Sequence, residues 1–319
     1  MESENKISFV ADEANAVISL LDKKSAGQPV ADEDWRTLFE TEGYRRLKAR
    51  ELSMSNPFND DEFKAFILSD DLMNQKISLM QTLQAWQRAD LDSILARTNA
   101  YLPANTPIRG TIYPVIKPKS NSFVFELETN PAIFLYLDPQ KRVEELENIL
   151  AHELHHIGLG PLQDKLFRSD DWKAYPETTR RMLEWVSAFG EGIAMLAAAG
   201  GPDIHPHASS NAEDRERWDQ SMLTFEEDFR QVEAFLLDVM DGKLQGDAIM
   251  EAGFAFFGIQ GPWYTVGWQM AVTIERGLDR ATVIEAFCDP RKLLAYYNRA
   301  ASPDQPHWDS RLLSASTLS

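Results

Sequence analysis

Between residues 102 and 138 the chain cannot be helical. Pro103, Pro107, Pro114 and Pro118 fall there too close together for a helix to survive between them, since each lacks an amide donor and clashes with the preceding turn. The stretches TIYPVI, SFVFELE and AIFLYLD in the same interval are rich in β-branched and aromatic side chains, which suit a pleated surface. A small antiparallel sheet of about three strands is expected here. On both sides apolar residues recur at the helical spacing of three and four: over 14–21, 35–47 and, with interruptions, 63–95 before it, and over 143–158, 178–199, 219–240, 263–276 and 280–287 after it. Gly200-Gly201-Pro202, Asp241-Gly242, Gly261-Pro262 and Asp289-Pro290 supply the reversals. The expected fold is α+β and mostly α-helical. It is organised as an N-terminal helical region, 1–100, followed by a region 101–319 with its sheet in 101–138 and its helices in 139–319, or as one continuous domain.

Charge and cysteine content narrow the function classes. Fifty acidic against 32 basic side chains give a formal charge of −18, a field that repels nucleic acid and anionic membrane. Cys288 is the single cysteine, so an intrachain disulfide or a thiolate-built metal site is excluded, and its place in AFCDP after an apolar helix suits an inert thiol. The chain has no GxSxG turn for a serine nucleophile and no phosphate-cradling glycine loop. Its N-terminus carries acids where a signal peptide would carry a basic region, and no window resembles a membrane span, so a cytoplasmic location is expected.

The segment ENILAHELHHIGLG, residues 147–160, carries the chemistry. Residues four apart share a helix face, so His152 and His156 can point two imidazole nitrogens at one ion with Glu153 beside them. A zinc ion held by two histidines and one further ligand keeps a position for water, lowers its pKa toward neutrality, and leaves the adjacent carboxylate to take the proton. The helix phase agrees: Val143, Leu146, Leu150, Leu154 and Ile157 form a docking stripe, with Ile149, His152, Glu153 and His156 along its border. His155 points away and is expected to hydrogen-bond a neighbour or solvent rather than a metal.

A third histidine at the spacing of the HExxHxxGxxH pattern is missing, because Leu159 and Leu162 occupy those positions. A carboxylate from a later helix is the alternative. Glu191, the acid inside the apolar stretch WVSAFGEGIAMLAAAG, is the best candidate, flanked by Gly190 and Gly192, which would let its helix approach the histidine helix. Glu184, seven residues earlier on nearly the same face, is the other candidate, as ligand or as an orienting partner of a histidine. For the oxyanion donor, Tyr264 stands at the start of a helix opened by Pro262, with His205 and His207 of the loop GGPDIHPH as rivals. The strand AIFLYLD is either a core strand or an edge onto which an extended peptide could add.

HELHHIGLG followed by Glu191 in GEGIA resembles the glutamate-liganded zincin metallopeptidases, the gluzincins. The order HELHH, FGEGIA, GPWYTVGWQMAVTIERGL and LLAYYN is similar, over roughly residues 130 to 300 and weakly over 35–47, to a family of predicted zinc-dependent proteases. The resemblance implies a zincin-like fold with the small sheet preceding the HExxH helix, Zn2+ held by His152, His156 and Glu191, Glu153 as general base, and Tyr264 as oxyanion donor. The chain departs from the best-known glutamate zincins in a longer interval between His156 and Glu191 and in having no NExxxD-like segment around Glu191. The function expected is that of a zinc-dependent peptidase acting on a peptide or protein. The alternatives are a zinc hydrolase of a non-peptide amide or ester and a non-catalytic binding protein on the same fold.

Overall fold

The computed structural model describes residues 5–53, 59–127 and 129–315; Glu128, which closes the predicted strand SFVFELE, and the first four residues lie outside them. The chain divides into two compact units, Met1–Asp90 with Pro107–Glu147, and Leu91–Thr106 with Asn148–Ser319.

In the first unit β1 (Lys6–Phe9) precedes five helices, α1 (Asp12–Ser25), α2 (Asp32–Phe39), α3 (Glu42–Ser53), α4 (Asp60–Ile67) and α5 (Asp70–Trp86), after which come β2 (Arg109–Val115), β3 (Phe123–Phe125) and β4 (Ala132–Tyr136). The strands form one sheet in the order β1-β2-β4-β3, parallel between β1 and β2 and between β2 and β4, antiparallel between β3 and β4. The expected antiparallel sheet is therefore corrected to a mixed one of four strands. The fourth comes from the N-terminal region that reads as helical throughout, since KISF is too short to display a period of two. AIFLYLD is also placed: β4 is paired on both sides, so it is a core strand and has no free edge.

Both faces of β2 are covered, with Ile112, Tyr113 and Val115 all buried, which is why TIYPVI reads as a continuous apolar run rather than an alternating one. Tyr113, Phe123 and Phe134 stack at 5.2–5.3 Å, with Leu47 of α3 in the same cluster. Pro114 sits inside this paired strand without a lost ladder bond. Residues 111 and 115 bond to the β4 side, through Thr111 N to Pro131 O and Leu137 N to Val115 O. Pro114 therefore turns its nitrogen to the β1 side, where β1 has already ended at Phe9 opposite Ile112.

Beneath the sheet lies a buried acid. Glu13 of α1 is fully buried; one carboxylate oxygen accepts the Ile116 amide at 3.0 Å and the other has no hydrogen-bond partner among the described residues. Burial lifts its pKa to about 8, with the Ile116 amide and Lys117 opposing. A carboxyl raised in the folded state contributes stability below its unfolded pKa that is lost as the pH climbs to the folded value. Glu13→Gln, which keeps the acceptor and removes the charge, should match wild type in thermal stability near pH 4. It should become progressively more stable than wild type from about pH 5 to 8, as read by thermal denaturation across that range.

The second unit is helical: α6 (Leu91–Asn99), the continuation of α7 (Val143–Phe167), then α8 (Asp170–Lys173), α9 (Glu177–Val186), α10 (Gly190–Ala199), α11 (Ala212–Leu223), α12 (Phe225–Met240), α13 (Asp247–Ala255), α14 (Pro262–Gly277), α15 (Arg280–Cys288), α16 (Pro290–Ala300) and α17 (Ser310–Ala315). Leu150, Leu154 and Ile157 are buried on α7, as the phase predicts. The helix runs well beyond residue 158, passing through Pro161. Residues 91–106 brace its back: Thr98 donates to the Ala151 carbonyl at 3.2 Å, and Leu102 packs where a side chain at Gly158 would stand. The stretch Glu177–Ala199 is long and apolar enough to cross a membrane, with a mean hydropathy of 1.2 in its best window, which corrects the reading that no window resembles a span. Of that window 72% is already buried against the protein.

Candidate metal centre

Helix α7 presents His152 and His156 one turn apart, with their rings edge to face at 4.6 Å. Glu191 arrives from the first turn of α10, and three atoms converge: His152 Nε2 and His156 Nε2 are 3.0 Å apart and lie 3.1 and 3.2 Å from Glu191 Oε2. The chemistry of this donor set asks for a cation. Two imidazole lone pairs facing each other across 3.0 Å repel unless something positive lies between them, and a carboxylate this buried needs a charge partner. The nearly equilateral triangle also has the right size. A tetrahedral zinc with ligands at about 2.0–2.1 Å spaces its ligand atoms by roughly 3.3 Å. The three residues fit zinc, and they are the group of His, Cys, Asp and Glu side chains that could hold a metal among the described residues.

Electrostatics follow from burial and from this convergence. Burial alone would depress His156, but Glu191 dominates and lifts its pKa to about 9. Burial alone would raise Glu191, yet the two histidines hold it well below the usual carboxylate range. Both shifts run in the direction of a preference for positive charge at this place. His155, fully buried, is pushed down to about 3 mainly by desolvation and faces away, its Nε2 donating to the Tyr101 carbonyl at 3.1 Å. It is therefore a neutral structural residue, as its phase suggests.

Glu184 does not reach this cluster. It is exposed on α9, where partial desolvation of its carboxyl raises its pKa against the pull of Arg181 and Arg180. Tyr264 does: its ring lies nearly parallel to that of His152, 6.2 Å away and tilted by 14°. Burial first, then the charges of Glu191 and Glu153, raise its pKa, so it stays a protonated donor. The two rival histidines are committed elsewhere. His205 contacts Asp219 through Nε2 at 3.0 Å and accepts the His207 amide at Nδ1, while His207 is engaged by Ser210 at Nδ1 and Gln260 at Nε2. Burial lowers His207 to about 4 and keeps it neutral.

The reading of the glycines around Glu191 needs correction. Gly192 does not admit the histidine helix; a Cβ there would stand 2.0 Å from the backbone of Gly267 and Trp268, so the close approach is between α10 and α14. Gly267 is equally required, its Cβ falling 2.7 Å from the Phe189 carbonyl. This contact sets Glu191, one residue before Gly192, against Tyr264, one turn before Gly267. Gly190 faces α7, with Leu159 at an ordinary 3.6 Å from its Cβ position. Sequence reading also missed Asn148, four residues before His152, whose amide donates to the Pro206 carbonyl at 3.1 Å and moors the His205–His207 loop to α7. Its i−4 relation to His152 was the available signal. Cys288 has its thiol pushed up to about 11 by burial, which suits the inert role expected of it.

Gly192→Ala should therefore lower thermal stability severely, by at least about 3 kcal/mol, because backbone must move. Gly160→Ala, the same chemical change on α7 where the new carbon meets nothing within 4 Å outside its own helix and chain neighbours, should cost less than about 1 kcal/mol, its helix propensity gain offset by the ring of Pro161. Denaturant unfolding of both variants checks the difference.

No curated protein and no solved structure matches the chain. The model of the family described as "Putative zinc dependent peptidase" (DUF5700) matches residues 35–305, and the chain belongs to that family.

Proposed function

We propose that the protein is a zinc-dependent peptidase in which His152, His156 and Glu191 hold the metal, Glu153 is the general base and Tyr264 the oxyanion donor. The observation that carries this reading is the convergence of the three ligand atoms at 3.0–3.2 Å, with the Tyr264 ring lying along that of His152. Bound there, zinc would act as a Lewis acid and bring a water within reach of deprotonation near neutral pH.

Glu153 follows His152 directly on α7, so its carboxylate is carried by the same rigid turn as the ligands. It is half-buried, and its charge is felt at both His156 and Tyr264. A carboxylate so placed takes a proton from the attacking water and passes it to the departing amine. Tyr264 keeps its proton because burial and two carboxylates oppose its ionisation, so it offers a hydrogen bond to negative charge developing on the carbonyl oxygen. The glutamate-liganded zincin character of the site and a peptide or protein substrate belong to this proposal.

The test is a peptide-library cleavage assay on zinc-loaded protein. Glu153→Gln should retain the metal and lose turnover by at least about 10²-fold. Tyr264→Phe should retain the metal and lose about 10²–10³-fold in kcat with little change in KM. Cleavage that persists undiminished in Glu153→Gln would contradict the assignment. Stoichiometric zinc with no turnover of peptides by wild type would return the protein to the amide, ester or binding alternatives.

A further inference from the structure

The dipeptide Pro206-His207, in the loop between α10 and α11, reaches α7 on one side and both flanks of Tyr264 on the other, all within the second unit. The Pro206 carbonyl accepts the Asn148 amide at 3.1 Å, one turn before His152 on α7. The His207 ring is buried, and desolvation keeps it neutral, so one of its nitrogens donates and the other accepts. Nε2 accepts from the Gln260 amide at 2.9 Å, which leaves the proton of Nδ1 for Ser210 Oγ at 3.0 Å. The same ring lies 5.3 Å from Trp218, and Trp218 meets Trp268 of α14 edge to face at 5.7 Å. Gln260, Tyr264 and Trp268 follow one another at intervals of four residues. His207 therefore holds the chain one interval before the phenol directly, and one interval after it through Trp218. Between those two points the Tyr264 ring lies along that of His152.

We propose that His207 is a positioning residue, which keeps the Tyr264 phenol in register with the metal ligands by tying the start of α14 to the turn of α7 before His152. The proposal rests on the peptidase reading, in which Tyr264 is the oxyanion donor. A donor to a developing oxyanion works over a narrow range of distance and must be held within about 0.5 Å by the residues around it. The Gly192–Gly267 contact sets α14 against α10, whereas Pro206-His207 reaches α14 and α7 together. Loosening this tie leaves substrate binding intact and weakens a hydrogen bond made in the transition state, so the loss falls on kcat and not on KM.

The tie is separated from a general role in folding by testing it with and without the phenol. His207→Phe keeps a ring against Trp218 and removes the hydrogen bond, and Gln260→Leu removes the same bond from the other side. Zinc-loaded protein is titrated calorimetrically with a phosphinic isostere of trialanine, whose anionic oxygen stands in for the oxyanion. Each variant should bind it about tenfold more weakly and lose about tenfold in kcat, with KM and zinc content unchanged. Combined with Tyr264→Phe, neither substitution should cost anything further. Losses of the same size without the phenol, or no loss in either variant, would overturn the proposal while leaving the zinc site and the peptidase standing. Loss of zinc in both variants would overturn it as well, by making the contact part of the metal site's fold; if one alone loses its metal, the other decides. The predicted pattern of affinities without cleavage of any peptide would keep the tie and reject the peptidase. Wild type that binds the phosphinate no tighter than Tyr264→Phe does would reject the donor role of Tyr264 and the tie with it.

Discussion

The candidate centre depends on a contact in which no side chain takes part. Helices α10 and α14 touch backbone to backbone at Gly192 and Gly267, and any larger residue at either point would drive them apart. That contact fixes the start of both helices, where Glu191 and Tyr264 stand, and it brings the carboxylate and the phenol onto the histidine pair of α7. Residues 91–106 hold α7 from behind, through Thr98, the Tyr101 carbonyl and Leu102, so the histidines are presented by a helix restrained on the side away from the His152–His156–Glu191 cluster. Preorganisation here is a property of packing, and the metal-binding geometry follows from it.

Electrostatics then make the arrangement purposeful. An acid in the sequence GEGIAMLAAA has no aliphatic reason to be there, since desolvating a carboxylate costs more than the helix gains from it. It is sustained by the two imidazoles, and they by it. The opposed shifts of His156 and Glu191 express one preference for positive charge between them. Glu13 in the first unit shows the contrasting case of a buried carboxylate without such a partner, which responds by rising to about 8.

Much of the centre was legible in the sequence because a helix has a fixed period. HELHH specifies that residues 152 and 156 share a face and that 155 does not, and the apolar stripe of Leu150, Leu154 and Ile157 sets which face is docked. Glu191 was legible as an isolated acid in an apolar run. What could not be read was which helix its neighbouring glycine would touch, because a glycine signals close approach without naming the partner. The choice among Tyr264, His205 and His207 likewise required knowing that both histidines spend their ring nitrogens on Asp219, Ser210, Gln260 and the His207 amide. The sheet was foreseen in place but not in topology. Strand pairing is a long-range property, and a four-residue segment such as KISF carries too little pattern to announce itself as a parallel edge strand.

The most direct test of the central claim is zinc stoichiometry by elemental mass spectrometry on wild type and on His156→Ala, Glu191→Ala and Glu184→Ala prepared side by side. The account predicts near one zinc per chain in wild type and in Glu184→Ala, and its loss in the other two, each variant remaining folded by circular dichroism. Full zinc retention in Glu191→Ala, or its loss in Glu184→Ala alone, would contradict the ligand set on which the proposed mechanism stands.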